Sequence, residues 1–167
     1  MALQAYVTIR GSKQGQFKGE GVRRKDKDAI PILSFSYDVQ IPRDTASGQA
    51  TGRRQHKPIV ILKEWGAATP QLFQALVTNE VLTQVVAQFF KVNPNGEELI
   101  YQRITLTNAA LQEIKYLTPE QLCCNDGKSQ SERDTSEREQ VSIVFEKIEI
   151  ENVDGGTVAQ DSWGAEE

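Results

Sequence analysis

Histidine, cysteine and long apolar runs are the scarce features of this sequence. Its 167 residues hold one histidine, His56, and two cysteines, Cys123 and Cys124. Adjacent cysteines can close only a strained eight-membered ring, so they give no disulfide framework. Without a CxxC spacing or a second Cys/His pair they give no metal site either, and they read as thiols of a reducing cytoplasm. A single histidine in the basic, polar segment Gly52 to Pro58 has no nucleophile signature beside it for a Ser-His-Asp or Cys-His arrangement. No GxGxxG, Walker-type or GxSxG pattern occurs. Carboxylates are plentiful, and a glycosidase-like pair stays open from sequence alone, but nothing recommends it over solvated strand faces and loops. No run of about 18 apolar residues is present, and Met1 to Arg10 lacks the basic and apolar regions of a Sec signal peptide. The expectation is a protein that is not an enzyme, holds no metal or cofactor and does not insert into a membrane.

The length suits one domain spanning residues 1–167. Hydrophobic residues make up 38% and charged residues 25%, enough for one buried core. The net charge of −4 hides a gradient: residues 1–64 carry +6, residues 65–125 carry −2 and residues 126–167 carry −8. The two ends can attract each other within one subunit or between subunits. An acidic total argues against nucleic acid as the main partner.

The segment Leu33 to Ile41 alternates without a fault, with Leu33, Phe35, Tyr37, Val39 and Ile41 on one face. Ala5 to Arg10 reads as a first strand, and Lys57 to Leu62 as a strand buried on both faces. One helix is expected, with Thr69 as its cap, Pro70 at its first position, Leu72, Phe73 and Leu76 as its apolar stripe and Asn79 as its stop. Val81 to Val92 and Glu98 to Ala109 flank the turn Asn93 to Gly96 and should form an antiparallel hairpin. Leu111 to Leu117 reads as a further strand. The polar stretch Asn125 to Glu139 reads as an exposed loop. In Gln140 to Val153 the apolar phase slips by one, which calls for a bulge near Glu146 and Lys147. Thr157 to Trp163 is a candidate last strand. About eight strands and one short helix, without strand–helix alternation, predict a mainly β fold: an antiparallel β-barrel or sandwich with the helix packed on its side.

The hairpin is apolar on both faces. Val81, Val85 and Phe89 fall on one side; Leu82, Val86 and Phe90 fall on the other. One domain has one inside, so the second face needs another cover, and self-assembly is a physical expectation, with Val85, Phe89 and Tyr101 as candidate interface residues. The long connection Pro42 to His56 is the other candidate site. Arg53, Arg54 and Lys57 suit either phosphate or an acidic protein surface, and docking is the favoured use.

Around this connection the residues resemble a family. Gly52 to Pro58, Lys63-Glu64 and Thr69 to Ala75 are followed in order by Phe89-Phe90, Gly96, Tyr101, Ile104 to Ala109, Ile114, Glu139 to Ile148, Gly155-Gly156 and Asp161 to Trp163. This ordered set is similar to the haemolysin-coregulated protein family of type VI secretion and covers nearly the whole chain. The resemblance implies a β-barrel with a lateral helix that forms homo-hexameric rings. The rings stack into the inner tube of a contractile machine, inside a sheath and beneath a spike protein, with effectors carried and protected in the lumen. It implies a cytoplasmic subunit that is later exported by that system. It also implies a stacking role for the loop, here including Arg43, Asp44, Arg53, Arg54 and His56. Trp65-Gly66, the charged Asn125–Glu139 stretch and Cys123-Cys124 depart from the family's pattern. Only four residues follow Trp163, so an appended enzymatic domain is not expected. The rival is a monomeric, lipocalin-like barrel that carries a small apolar ligand and needs an internal cavity.

Overall fold

A computed structural model describes residues 4–20, 27–118 and 136–163. Cys123, Cys124 and most of the expected 125–139 loop lie outside the described residues. The fold is mainly β and antiparallel, with one helix. In chain order the elements are β1 (Gln4–Gly11), β2 (Gly15–Gln16), β3 (Ile30–Ile32), β4 (Ser34–Ser36), β5 (Val39–Gln40), β6 (Gln55–His56), β7 (Ile59–Glu64), α1 (Thr69–Val77), β8 (Leu82–Val92), β9 (Glu98–Leu117), β10 (Arg138–Val144), β11 (Lys147–Asn152) and β12 (Thr157–Ser162).

The main sheet runs β2-β1-β8-β9-β10-β7-β4, with β11 and β12 added beside β9. The segment Ile30 to Ser36 completes the wall. Its first half, β3, pairs with β1, and its second half, β4, pairs with β7. Leu33 is the switch between them, and its N–H donates to the Leu62 carbonyl at 2.7 Å. The expected nine-residue strand Leu33 to Ile41 is therefore not one strand. Phe35 and Tyr37 pack on the core. Val39 and Ile41, in the same phase, stand 54% and 46% exposed, because β5 leaves the wall and pairs with β6 in a separate ribbon.

The hairpin forms as expected about Asn93 to Gly96, with Gly96 at φ 82°. Its second strand does not stop at Ala109. β9 runs 20 residues to Leu117 and absorbs the separate strand expected at Leu111. Its first half pairs with β8 and β11, its second half with β10. The corner lies at Asn108, which takes φ 50°. There the Glu146 N–H donates to the Thr107 and Asn108 carbonyls at 3.3 and 3.2 Å, and the Asn108 amide donates to the Glu146 carboxylate at 2.8 Å. The phase slip in Gln140 to Val153 has the same origin: Phe145 and Glu146 carry the chain from β10 in one half of the wall to β11 in the other, and Phe145 and Ile148 both stay buried.

The two faces of the hairpin are resolved by bulges. Val85, Ala87 and Phe89 point inward with Ile104 and Leu106. A register shift of β1 against β8 at Arg10 and Gly11 turns Leu82 inward as well and leaves Val81 outside, 46% exposed. The interior packs densely. The space among Val7, Phe35, Ile59, Val85, Ile104 and Ile143 is about 10 Å³, no more than one water needs.

Helix α1 lies against β9 with Leu72 and Ala75 buried. Thr69 does not cap it; Ala68 holds the N-cap position with no side-chain bond. The Thr69 hydroxyl accepts from the Gly66 N–H at 3.0 Å and donates to the Glu139 carboxylate at 2.9 Å. Phe73, expected on the inner stripe, is 51% exposed. Asn79 ends the helix region in a left-handed conformation, φ 51°. The expected loop also ends early: Arg138 and Glu139 belong to β10. Glu139 is buried because it pairs with the equally buried Lys63 and accepts a hydrogen bond from the Thr69 hydroxyl, and a buried charge needs such partners. Glu80 is held likewise. Its carboxylate accepts from the N–H groups of Lys13 and Gln14 at 2.7 and 2.8 Å and from the Gln14 amide at 2.9 Å, and so pins the β1–β2 turn. Burial pushes the pKa of the Glu80 carboxyl up, but the bonds from Gln14 and Lys13 outweigh this and hold it below its ordinary value.

Leu72→Ala should cost about 2–5 kcal/mol in a urea melt, because Leu72 is fully buried beneath the helix. Phe73→Ala should cost well under that, since half of its surface is already in water.

Candidate functional site

The long connection between β5 and β6 is ordered from its tip to its base. At the tip Asp44 makes a compact turn. Its carboxylate accepts from the Ser47 hydroxyl at 2.7 Å, the Ser47 N–H at 3.1 Å and the Ala46 N–H at 3.4 Å. The Ser47 hydroxyl, helped by these backbone donors, holds the Asp44 carboxyl below the usual range. Gly48 closes the turn at φ 70°. The Arg43 guanidinium donates to the Gly48 carbonyl at 3.1 Å, and Arg43 bridges to Ala50 across the loop.

At the base four polar groups converge from distant parts of the chain. His56 Nε2 lies 2.7 Å from Asp161 Oδ2, and His56 Nδ1 lies 2.6 Å from the Tyr37 hydroxyl. An ionised Asp161 can only accept, so Nε2 carries the proton. In the neutral ring Nδ1 then accepts from Tyr37. The Arg54 Nε donates to the same Asp161 oxygen at 2.5 Å, and its Nη2 to the Ser162 carbonyl at 3.3 Å. Aromatic rings seal the cluster: Tyr37 meets His56 edge to edge with planes 9° apart, and Phe145 and Trp163 lie 5.6 and 5.5 Å from the imidazole. The His56 side chain is only 6% exposed. The Arg54 bond, then the His56 bond against the cost of burial, holds the Asp161 carboxyl below its ordinary value. Burial, with the charge of Asp161, pushes the Tyr37 phenol up. The bonds from Arg54 and His56 to Asp161 and Ser162 make the arrangement an anchor that ties the loop to β12.

The candidate residues thus separate. Arg43 and Asp44 shape the tip, and Arg53 is exposed. Arg54 and His56 belong to the anchor. A phosphate site built on Arg53, Arg54 and Lys57 would have to take Arg54 from Asp161. Val85 and Phe89, expected at a subunit contact, fill the barrel interior, 3% and 8% exposed. Tyr101 is half-buried, with the Lys91 ammonium 6.0 Å over its ring. The apolar surface left outside is elsewhere: Val39 and Ile41 beside the loop, Phe73 and Val77 on the outer side of α1, and Val92 and Leu99 at the hairpin tip. Sequence reasoning missed Asp161 and Tyr37 as partners of His56. Their separations of 105 and 19 residues leave no local pattern to find.

The chain matches, over residues 6–151, the family described as "Type VI secretion system effector, Hcp". It is 32% identical to the "Major exported protein" of Pseudomonas aeruginosa, with 98% of this chain and 96% of that protein aligned. A crystal structure of an Hcp protein superposes with a TM-score of 0.83 at 25% identity, covering 96% of this chain and 99% of the other. The secreted protein Hcp3 of Pseudomonas aeruginosa superposes with a TM-score of 0.76 at 26% identity, covering 98% and 100%.

Asp161→Asn should lower stability by about 1.5–3 kcal/mol, because it removes the charge that accepts from Arg54 and His56. The native carboxyl titrates below its unfolded value of about 3.9. Its stabilisation is therefore complete above that value and is lost as pH falls through the lower folded one. Acid titrations followed by tryptophan fluorescence should show that the variant has lost part of this acid dependence, with Trp163 as the local reporter.

Proposed function

Since the chain belongs to the Hcp family of the type VI secretion system, we propose that it is the repeating subunit of that system's inner tube. In this reading six copies close into a ring, rings stack beneath a spike protein and within a sheath, and effectors travel and are protected in the lumen. The subunit is held in the cytoplasm before firing and is then exported by the machine. The observation that carries the reading is the family match over residues 6–151 of a chain whose described residues are mainly β and antiparallel, with one helix. Two physical features support it. Apolar side chains stand in water on the helix, the loop ribbon and the hairpin tip, where another protein surface would cover them. The loop at Arg43 to Arg53 is rigid enough to act as a docking element, because its own hydrogen bonds order the tip and the anchor fixes its base.

The rival reading, a barrel that carries a small apolar ligand, needs an internal cavity of about 300 Å³ or more. The interior offers about 10 Å³, and side chains that fill it this well would have to leave before a ligand could enter.

Light scattering of the purified chain should give the mass of six copies, and negative-stain images should show annular particles; a monomer at micromolar concentration would refute the ring. Arg53→Glu should reduce the stacking of rings into tubes while leaving single rings intact, since Arg53 is exposed and outside the anchor. Arg54→Glu should also loosen the loop itself, seen as faster amide exchange over residues 41–55. Unchanged tube lengths for Arg53→Glu would remove this residue from the stacking surface.

A further inference from the structure

An asparagine can lose its amide without an enzyme. The main-chain nitrogen of the next residue attacks the side-chain carbonyl carbon, ammonia leaves, and a five-membered succinimide forms. Water then opens the ring at one carbonyl or the other, giving aspartate or isoaspartate. The attacking nitrogen must have a proton to lose, and a Cβ on its own residue hinders its approach. The described residues include Asn79, Asn93, Asn95, Asn108 and Asn152. Asn93 precedes Pro94, which has no N–H. Asn79, Asn108 and Asn152 precede Glu80, Ala109 and Val153, each with a Cβ. Among the described residues only Asn95 is followed by glycine, where the approach is open.

The surroundings sharpen this difference. The Asn108 amide is engaged by Glu146, and the Asn152 amide by Gln102 and the Gly155 N–H. The Glu80 N–H, which would have to attack Asn79, donates to the Ala75 carbonyl at 2.9 Å inside the fold. The Asn95 side chain is exposed and has no partner among the described residues. One bond opposes the reaction: the Gly96 N–H donates to the Asn93 carbonyl at 2.8 Å. It closes a turn whose residues 94–97 are all exposed, and such tips open locally at little cost. The neighbouring tip supplies a contrast. Asp154 also precedes a glycine and could close the same ring with loss of water. There the carboxylate is held by Lys91, and the Gly155 N–H donates to the Asn152 side chain at 2.7 Å. Both reacting groups are engaged at Asp154, and only one is engaged at Asn95.

We propose that Asn95 is a modification site at which the folded chain converts, through a succinimide closed by the Gly96 nitrogen, to aspartate and isoaspartate. The isoaspartate form is a substrate for carboxyl methylation, in which a methyl group passes from S-adenosylmethionine to the isoaspartyl carboxylate. Each conversion exchanges a neutral amide for a carboxylate beside Glu97 and Glu98, and isoaspartate also adds one methylene to the main chain of the turn. The hairpin tip, where Val92 and Leu99 are exposed, thus changes its charge and length with the age of the subunit.

The test uses the full chain, held in mildly alkaline buffer and kept folded as judged by circular dichroism. Samples taken over time are digested, and each asparagine is read by mass spectrometry. Position 95 should show the gain in mass of an amide turned acid while Asn79, Asn108 and Asn152 keep their amides. An isoaspartyl methyltransferase with labelled S-adenosylmethionine should place its methyl group on the peptide that holds position 95 and not on the one that holds Asp154. Asn95→Gln should abolish both signals in that peptide. The proposal is overturned if Asn95 keeps its amide as long as Asn79 and Asn108 keep theirs. It is overturned equally if position 95 yields ordinary aspartate and accepts no methyl group, because direct hydrolysis would then have bypassed the ring.

Discussion

A strand that serves two sheets has to turn without leaving its peptide groups unpaired, and the barrel depends on how β9 does so. At Asn108 the backbone enters the left-handed region, where asparagine is one of the few tolerated side chains. The Glu146 N–H bridges the two carbonyls of the corner, and the Asn108 amide returns a bond to the Glu146 carboxylate. Because β10 and β11 meet at Glu146, this one exchange corners both strands together. Side chains from both sides of the corner then meet in one interior, where Val85, Ala87, Ile104 and Leu106 face Ile59, Ile61 and Ile143. A substitution that removed the bend would misdirect both sets.

The corner also explains why so much apolar surface remains outside. Once the wall has curled around a filled interior, residues in phase with the core but beyond the wall have nowhere to go. Val39 and Ile41 share the alternation of Phe35 and Tyr37 but lie on a ribbon that has left the sheet. Val81 lies one residue before the strand that buries Leu82. The anchor of His56, Tyr37, Arg54 and Asp161 holds that ribbon in place at a fixed position against β12. Loop, ribbon and last strand form one rigid border in this way, although they come from opposite ends of the chain.

Much of this architecture was legible in the sequence. The period-two runs, the Asn-Pro-Asn-Gly turn and the single helix identify a mainly β, antiparallel barrel, and the ordered resemblance identifies the family. The details that failed share a cause. Alternation shows which residues share a face but not whether that face meets the core, so Leu33 to Ile41 read as one strand. A bulge moves the phase by one residue without leaving a mark in composition, so Leu82 and Val81 exchanged sides. Val85 and Phe89 read as candidate contacts because nothing local distinguishes an inner from an outer face. The anchoring of His56 and Arg54 left no local mark, because their partner, Asp161, lies more than a hundred residues away. Thr69 looks like a cap because its type and place suit one, but a buried carboxylate competes for its hydroxyl.

The position of β12 in chain order has a consequence for biogenesis. It is the last strand among the described residues, and it supplies the acceptors that fix the base of the loop. A chain emerging from the ribosome folds its barrel wall from elements that all precede residue 157. Until Asp161 and Ser162 arrive, Arg54 and His56 lack the acceptors that fix the base of the loop. The order of synthesis thus leaves the loop untethered while the wall forms, and the last strand to appear completes its anchoring.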